Sequence, residues 1–255
     1  MDHFFAKADE VVNGSRSAAL CIVVDTRGST PRKQGARMIV YADGSVYGTI
    51  GGGSVEKEVT ELALELIASG KPAKATFNLE EDLGMHCGGM MEVYIEPVNP
   101  LKKLFIFGAG HIGKALAGFA RELDFTVTLF DPREEIFRDE FFTPFTCVNK
   151  DYLKAIEETT FDDNTSVVIV TPKHAYDEEI LAAVARKPNA YLGMIGSARK
   201  VELLKKRFLE ENILTSDELE KIDMPIGIRF NAETPQEIAI SILAKLIDVR
   251  NTVTK

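Results

Sequence analysis

The segment Gly108-Ala109-Gly110-His111-Ile112-Gly113 does most to narrow the folds open to this chain. It follows the apolar run 103–107 and opens the helix-forming stretch Lys114-Ala115-Leu116-Ala117. In a strand–turn–helix unit, the first glycine permits a tight turn and the second lets backbone approach a diphosphate. The third lets helix and strand pack closely. Asp131 closes a second apolar run, 125–130, and stands 18 residues beyond Gly113. An acid about 20 residues past the glycines is placed to accept ribose hydroxyls. The unpaired amides and positive dipole end of the helix suit an anion. The pattern fits an adenine nucleotide or dinucleotide. Context as well as motif favours that reading over the alternative, the same fold with a vacant pocket or one that holds something else.

The rest of the second half repeats strand and helix. Apolar strands are expected at 103–107, 125–130, 145–148, 166–171 and 191–195, with helices such as 178–186 and 199–210 between them. Such alternation implies a parallel sheet covered on both faces. Ligands bind at the carboxyl edge of such sheets. Gly193-Met194-Ile195-Gly196-Ser197 and Thr171-Pro172-Lys173-His174, with Asp177 nearby, fall on that edge. Ser197 serves equally as a helix N-cap. His174 titrates near neutrality, so it could relay a proton, hold a ligand, or simply be solvated. The last helix opens with the capping box Thr234-Pro235-Gln236-Glu237. Its apolar stripe, Ile238, Ile242, Leu243 and Leu246, suits either the core or a homo-oligomer contact, and a homo-oligomer is expected.

The first half reads as α+β. Phe4, Phe5, Ala8, Val11 and Val12 share a helical face, and Asn13-Gly14 can end that helix. The runs 38–41 and 45–49 flank Asp43-Gly44, a hairpin signal. Helical spacing of Val55, Val59, Leu62, Leu66 and Ile67 follows Gly51-Gly52-Gly53, and Gly70 can stop it. Strands are expected at 75–79 and 90–96. The glycine triplet offers a second amide cradle for an anion, or only close packing. Arg27, Arg32, Lys33 and Arg37, around the loop Gly28-Ser29-Thr30-Pro31-Arg32, would suit an anionic ligand; a long surface loop is the plainer reading. Cys87, in His86-Cys87-Gly88-Gly89, is unshielded enough for a reactive or metal-ligating thiolate, which would suit a soft, sulfur-rich centre; the alternative is an inert loop thiol. Two prolines in 96–100 mark a linker, giving domains at 1–98 and 101–255.

The chain has 255 residues, 45% hydrophobic and 27% charged, with a net charge of −9. It is long enough to bury a core without staples. The negative balance disfavours duplex nucleic acid as a partner. No run approaches the roughly 18 apolar residues of a membrane span, and no secretory leader pattern opens the chain. Cys21, Cys87 and Cys147 are odd in number and widely spaced, which suits a reducing cytoplasm. Cys21 and Cys147 sit in apolar runs and read as buried hydrophobes.

Taken in order, these motifs resemble the xanthine dehydrogenase accessory protein family, XdhC/CoxI, over nearly the whole chain. The resemblance rests on Gly28 to Arg32 with Gly35-Ala36-Arg37-Met38, on Gly48 to Gly53, and on Cys87-Gly88-Gly89. It continues through Phe107 to Gly113, Asp131-Pro132-Arg133, Thr171 to His174 with Asp177, Tyr191 to Lys200, Pro225-Ile226-Gly227 and Thr234 to Ala239. His174 departs from the pattern, standing after Pro172-Lys173 where an arginine–glycine pair is expected. The resemblance implies an α/β chain with a C-terminal Rossmann-like parallel sheet, helices on both faces, preceded by a smaller α+β domain. It implies a non-enzymatic chaperone that binds molybdenum cofactor (molybdopterin) transiently and delivers it to apo xanthine dehydrogenase or a related molybdenum hydroxylase. Cys87 would then touch the cofactor, and a cysteine desulfurase is a further partner. The second half would resemble an NAD(P)-binding domain. The competing readings are an NAD(P)-dependent oxidoreductase with His174 as proton donor, and a nucleotide-sensing regulatory module.

Overall fold

The computed structural model describes residues 3–14, 16–79 and 89–252. The chain divides into two compact units that meet between Pro100 and Leu101.

Unit 1 opens with α1 (His3–Val12), followed by β1 (Ala18–Arg27), β2 (Arg37–Tyr41) and β3 (Val46–Thr49). Then come α2 (Gly53–Ser69), β4 (Ala73–Asn78) and β5 (Met90–Val98). The strands form an antiparallel sheet in the order β3-β2-β1-β5-β4. Alternation sorts its side chains between two faces. Cys21, Val23, Met38, Val93 and Ile95 pack with Val55, Val59 and Ala63 of α2. Ala18 and Ile39 lie with Phe4 and Val11 of α1. Asp43-Gly44 makes the expected hairpin turn, with Gly44 at φ 80°. Gly70 ends α2 in the left-handed region, its amide bonded to the Leu66 carbonyl.

The linker is shorter than expected, because β5 runs through Pro97 to Val98 opposite β1. Pairing with β4 stops at Ile95. At Pro97 the side away from β1 therefore carries no ladder for a missing N–H to interrupt.

Unit 2 holds five parallel strands, β6 (Lys102–Phe107), β7 (Phe125–Phe130), β8 (Thr146–Val148), β9 (Thr165–Ile169) and β10 (Tyr191–Met194). Their order is β10-β9-β6-β7-β8. On one face α3 (His111–Arg121) and α8 (Pro235–Thr252) cover Leu104, Ile106 and Leu129. On the other, α4 (Tyr152–Glu158), α5 (His174–Val184) and α6 (Ala198–Glu210) cover Phe105, Phe107, Val167 and Ile169. A short α7 (Ser216–Glu220) adds Leu219 to that layer. The α8 stripe faces inward: Ile242, Leu243 and Leu246 are buried in the core.

The chain leaves β6 towards β7 and later returns to β9 on the other side of β6. Their carboxyl ends part at this point, where open α/β sheets form a ligand crevice. α5 starts at His174, four residues earlier than the sequence pattern suggests. Asp177 in its first turn accepts from the Thr171 amide (3.1 Å) and hydroxyl (2.6 Å), binding helix to strand end.

Candidate functional site

In unit 1, motifs far apart in sequence meet around one loop. A Cβ on Gly51 would stand 2.5 Å from Cγ of Pro31. A Cβ on Gly89 would stand 2.2 Å from the Ser29 carbonyl and 2.8 Å from that of Arg27. The 27–31 loop thus touches both Gly51 and Gly89. Arg32 is exposed there, and its carbonyl accepts from the Thr30 hydroxyl. Arg37 has left this group. It lies in β2, over the rings of Phe4 and Phe5 at 5.4 and 4.7 Å. Cys87 lies outside the described residues.

Two amides of the glycine triplet, those of Gly51 and Gly52, are not open. Glu56, one turn into α2, accepts at Oε1 from the amides of Ile50 (3.0 Å), Gly51 (3.2 Å) and Gly52 (2.8 Å). The Thr49 hydroxyl donates to the same oxygen at 2.5 Å. Burial alone would raise the Glu56 pKa, but these hydrogen bonds outweigh it and hold the carboxyl below its ordinary value. What stays open is the side-chain face of Gly52 and Gly53, where a Cβ would meet nothing within 4 Å.

In unit 2 the three loop glycines divide the work. A Cβ on Gly108 would stand 2.5 Å from the Val170 carbonyl, so this residue lets the turn close on β9. One on Gly113 would stand 1.9 Å from the Gly108 carbonyl, the close packing of helix on strand. Gly110 has nothing within 4 Å of its Cβ position, and no side chain caps α3 there. It faces a cleft of about 740 Å³ lined with His111, Lys114, Arg133, Glu135 and Thr171. Lys114 is paired with Asp139.

Asp131 departs from the expected role. It is fully buried. Its Oδ2 accepts from the Ala109 amide (2.9 Å) and Arg133 Nη2 (2.7 Å). Its Oδ1 accepts from the Arg133 amide (3.0 Å) and Nε (2.9 Å). A carboxylate offers about four acceptor sites, so a ribose could bind only by displacing one of these donors. Burial by itself would raise this pKa; the bonds from Arg133 and the two amides bring it below the ordinary value.

Gly193, Gly196 and Ser197 are not among the residues that line that cleft. Gly193 lies within β10, and a Cβ there would be 2.5 Å from Cγ1 of Ile226. Ile226 is held in place because Asp223 accepts from the Tyr191 hydroxyl (2.5 Å) and the Gly227 amide (2.9 Å). The 225–227 motif is thus structural. Gly196 lines a separate hollow of about 320 Å³ with Met194, Val201 and Leu204. Ser197 caps α6, accepting from the Lys200 amide at 3.4 Å. His174 is the first residue of α5, and its side chain is not among those described. Among the described residues, no three His, Cys, Asp or Glu side chains gather closely enough to hold a metal ion. No helix among them is long and apolar enough to cross a membrane.

A family model described as the XdhC Rossmann domain matches residues 104–246. The chain belongs to the XdhC family. The model of the XdhC and CoxI family matches residues 12–78 in unit 1. The XdhC chain is 35% identical to YqeB of Escherichia coli, an uncharacterized protein, over 98% of its own length but only 46% of that relative's. It thus spans about half of that relative. It is 22% identical to a Bacillus subtilis protein whose name makes it a probable xanthine dehydrogenase component, covering 99% of both. It is also 22% identical to the E. coli molybdenum cofactor insertion chaperone PaoD, over 95% of this chain and 86% of that one. A solved structure titled as a xanthine dehydrogenase from Bacillus halodurans shares the fold, with a TM-score of 0.53 and 20% identity over 97% and 96% of the two chains.

Glu56, which shapes one of these XdhC sites, was not singled out from the sequence, and the pairing of Arg133 with Asp131 was not legible there. The signal for Glu56 was position: an acid in the first turn after three glycines can turn back on their amides. Arg133 stood two residues after Asp131, yet its pairing with that acid needed the bend at Pro132 to be known.

Proposed function

We propose that this chain is a maturation factor that holds molybdenum cofactor as cargo and passes it to an apo molybdenum hydroxylase of the xanthine dehydrogenase type. The observation that carries this reading is the meeting of Pro31 with Gly51 and of Gly89 with the 27–29 backbone. The loop it joins carries the exposed Arg32 and touches Gly51, next to the open faces of Gly52 and Gly53, and Gly89, two residues after Cys87 in sequence. Arg32 suits the cofactor's phosphate, and the two glycines admit a flat ring or its anionic tail without a side chain in the way. The Cys87 thiolate is the soft donor for the metal–sulfur head. The names of the B. subtilis and E. coli relatives point the same way. A cysteine desulfurase is the partner class that a sulfuration step would require.

The test is anaerobic mixing with molybdenum cofactor, gel filtration, and assay of the cofactor retained. Retention by the native chain supports the reading, and none overturns it. Equal retention by Cys87→Ser removes that thiol from the site without touching the rest.

A second reading concerns unit 2 and is independent. The cleft beside Gly110 suits a nucleotide or other phosphorylated ligand, supported by its volume and by the open backbone there.

A further inference from the structure

We propose that the unit 2 cleft takes a ligand bearing a phosphomonoester, with Arg133 as the residue that selects it over the same ligand with a free ribose diol. This rests on the second reading above and names its ligand chemistry. An acid at the end of the second strand ordinarily reads the diol of an adenosine ribose, and its charge repels a phosphate there. Here that acid is spent within the protein: Asp131 is buried and accepts four hydrogen bonds, two of them from the Arg133 guanidinium. Its charge is neutralised at contact distance.

The same pairing fixes the arginine. Nε and Nη2 are held in parallel by the two carboxylate oxygens. Nη1 makes no hydrogen bond among the described residues, while the side chain keeps 37% of its surface exposed and lines the cleft. A guanidinium locked on one edge keeps donors on its other edge at little further cost in side-chain entropy. That is an arrangement for a tetrahedral oxyanion. Gly110 leaves the neighbouring backbone open to the body of the ligand. Glu135, exposed on the same cleft, is the opposing charge. Its charge also acts on Arg133, so it opposes the selection in part.

A phosphomonoester of this kind occurs on a 2′-phosphorylated dinucleotide and on a pterin side chain. The experiment separates them by titrating the full chain calorimetrically, at fixed salt, with NADP+, NAD+ and a pterin monophosphate. NADP+ is expected to bind about tenfold tighter than NAD+ or better, the usual scale for a charge-assisted contact. Glu135→Gln is expected to tighten NADP+ more than NAD+. Arg133→Leu should erase the preference, but it strands the buried Asp131 charge. Arg133→Lys, which keeps a cation and loses the fork, is the variant that stays folded, and it should lose most of the preference. Pterin monophosphate binding with the same Arg133 dependence, and no NADP+ binding, upholds the inference and assigns the other source. It is overturned if NAD+ binds as tightly as NADP+ with no pterin monophosphate binding, or if a folded Arg133→Lys variant keeps the full preference. If none of the three probes binds, the second reading falls with it, and the cargo reading for unit 1 stands on its own test.

Discussion

Pro31 occupies the space that a side chain at residue 51 would need: its Cγ lies 2.5 Å from the Cβ position of Gly51, which itself sits at φ +147°. The contact joins a loop after β1 to the start of α2. Gly51→Ala is therefore expected to destabilise the protein by about 2–4 kcal/mol, from steric overlap plus backbone strain. Pro31→Ala removes the offending Cγ and should recover about 1 kcal/mol in the double variant. Denaturant unfolding of the four proteins in the cycle measures the coupling. Strict additivity would show that the two loops do not touch.

Glu56 gathers three amides and a hydroxyl on one oxygen. Glu56→Ala leaves those amides without their acceptor and should cost about 1–3 kcal/mol. The pH dependence has a definite sign. The folded pKa lies below the ordinary 4.5, so the contribution is complete above that value and disappears as pH falls through the folded pKa. Unfolding of native and Glu56→Gln chains should differ at pH 7 and converge in acid. A difference that persists unchanged at low pH would refute the assignment.

Gly110 and Gly113 are expected to respond oppositely to one added methyl group. Gly113→Ala places a Cβ 1.9 Å from the Gly108 carbonyl and should cost more than about 4 kcal/mol, or prevent folding of unit 2. Gly110→Ala meets nothing within 4 Å and should leave stability within about 0.5 kcal/mol. Because the methyl enters the cleft, it should weaken whatever phosphorylated ligand binds there. Thermal unfolding and calorimetric titration distinguish the two.

Asp131→Ala removes the buried partner of Arg133 and the acceptor for Ala109. Loss of a buried, fully bonded charge of this kind costs about 3–5 kcal/mol. Hydrogen exchange should show the glycine loop opening first, since the Ala109 amide loses its acceptor. Unchanged protection at Ala109 would contradict its bond to Asp131.

Tyr152 offers the reverse case. It is 4% exposed, packs against Phe107 and Tyr176, and its hydroxyl has no hydrogen-bond partner among the described residues. Burying an unpaired hydroxyl carries a penalty, so Tyr152→Phe should be neutral or stabilising by up to about 1 kcal/mol. A clear loss of stability would mean that the hydroxyl is bonded.

Local pattern was enough to place most elements. The apolar runs ending at Phe107 and Phe130, the hairpin at Asp43-Gly44 and the capping box at Thr234 each depend on residues within a few positions of one another. The Glu237 carboxylate does accept from the Glu233 and Thr234 amides, as that box requires. Boundaries failed where a distant neighbour intervened. β5 could absorb Pro97 because β4 had already ended, and α5 could begin early because Asp177 reached back to Thr171.

What the sequence determined by itself is the two-unit α/β plan and the family, since periodicity, glycine spacing and motif order are written along the chain. What the tertiary structure alone decided is which polar groups are still available to a ligand. Glu56 and Asp131 had the right chemistry and position to be read as a helix surface residue and a ribose acceptor. Folding brought each within hydrogen-bond distance of backbone amides, and a buried carboxylate takes the nearest donors that remove its desolvation cost. That competition between internal and external partners is settled by distances in space, which no spacing along the chain records.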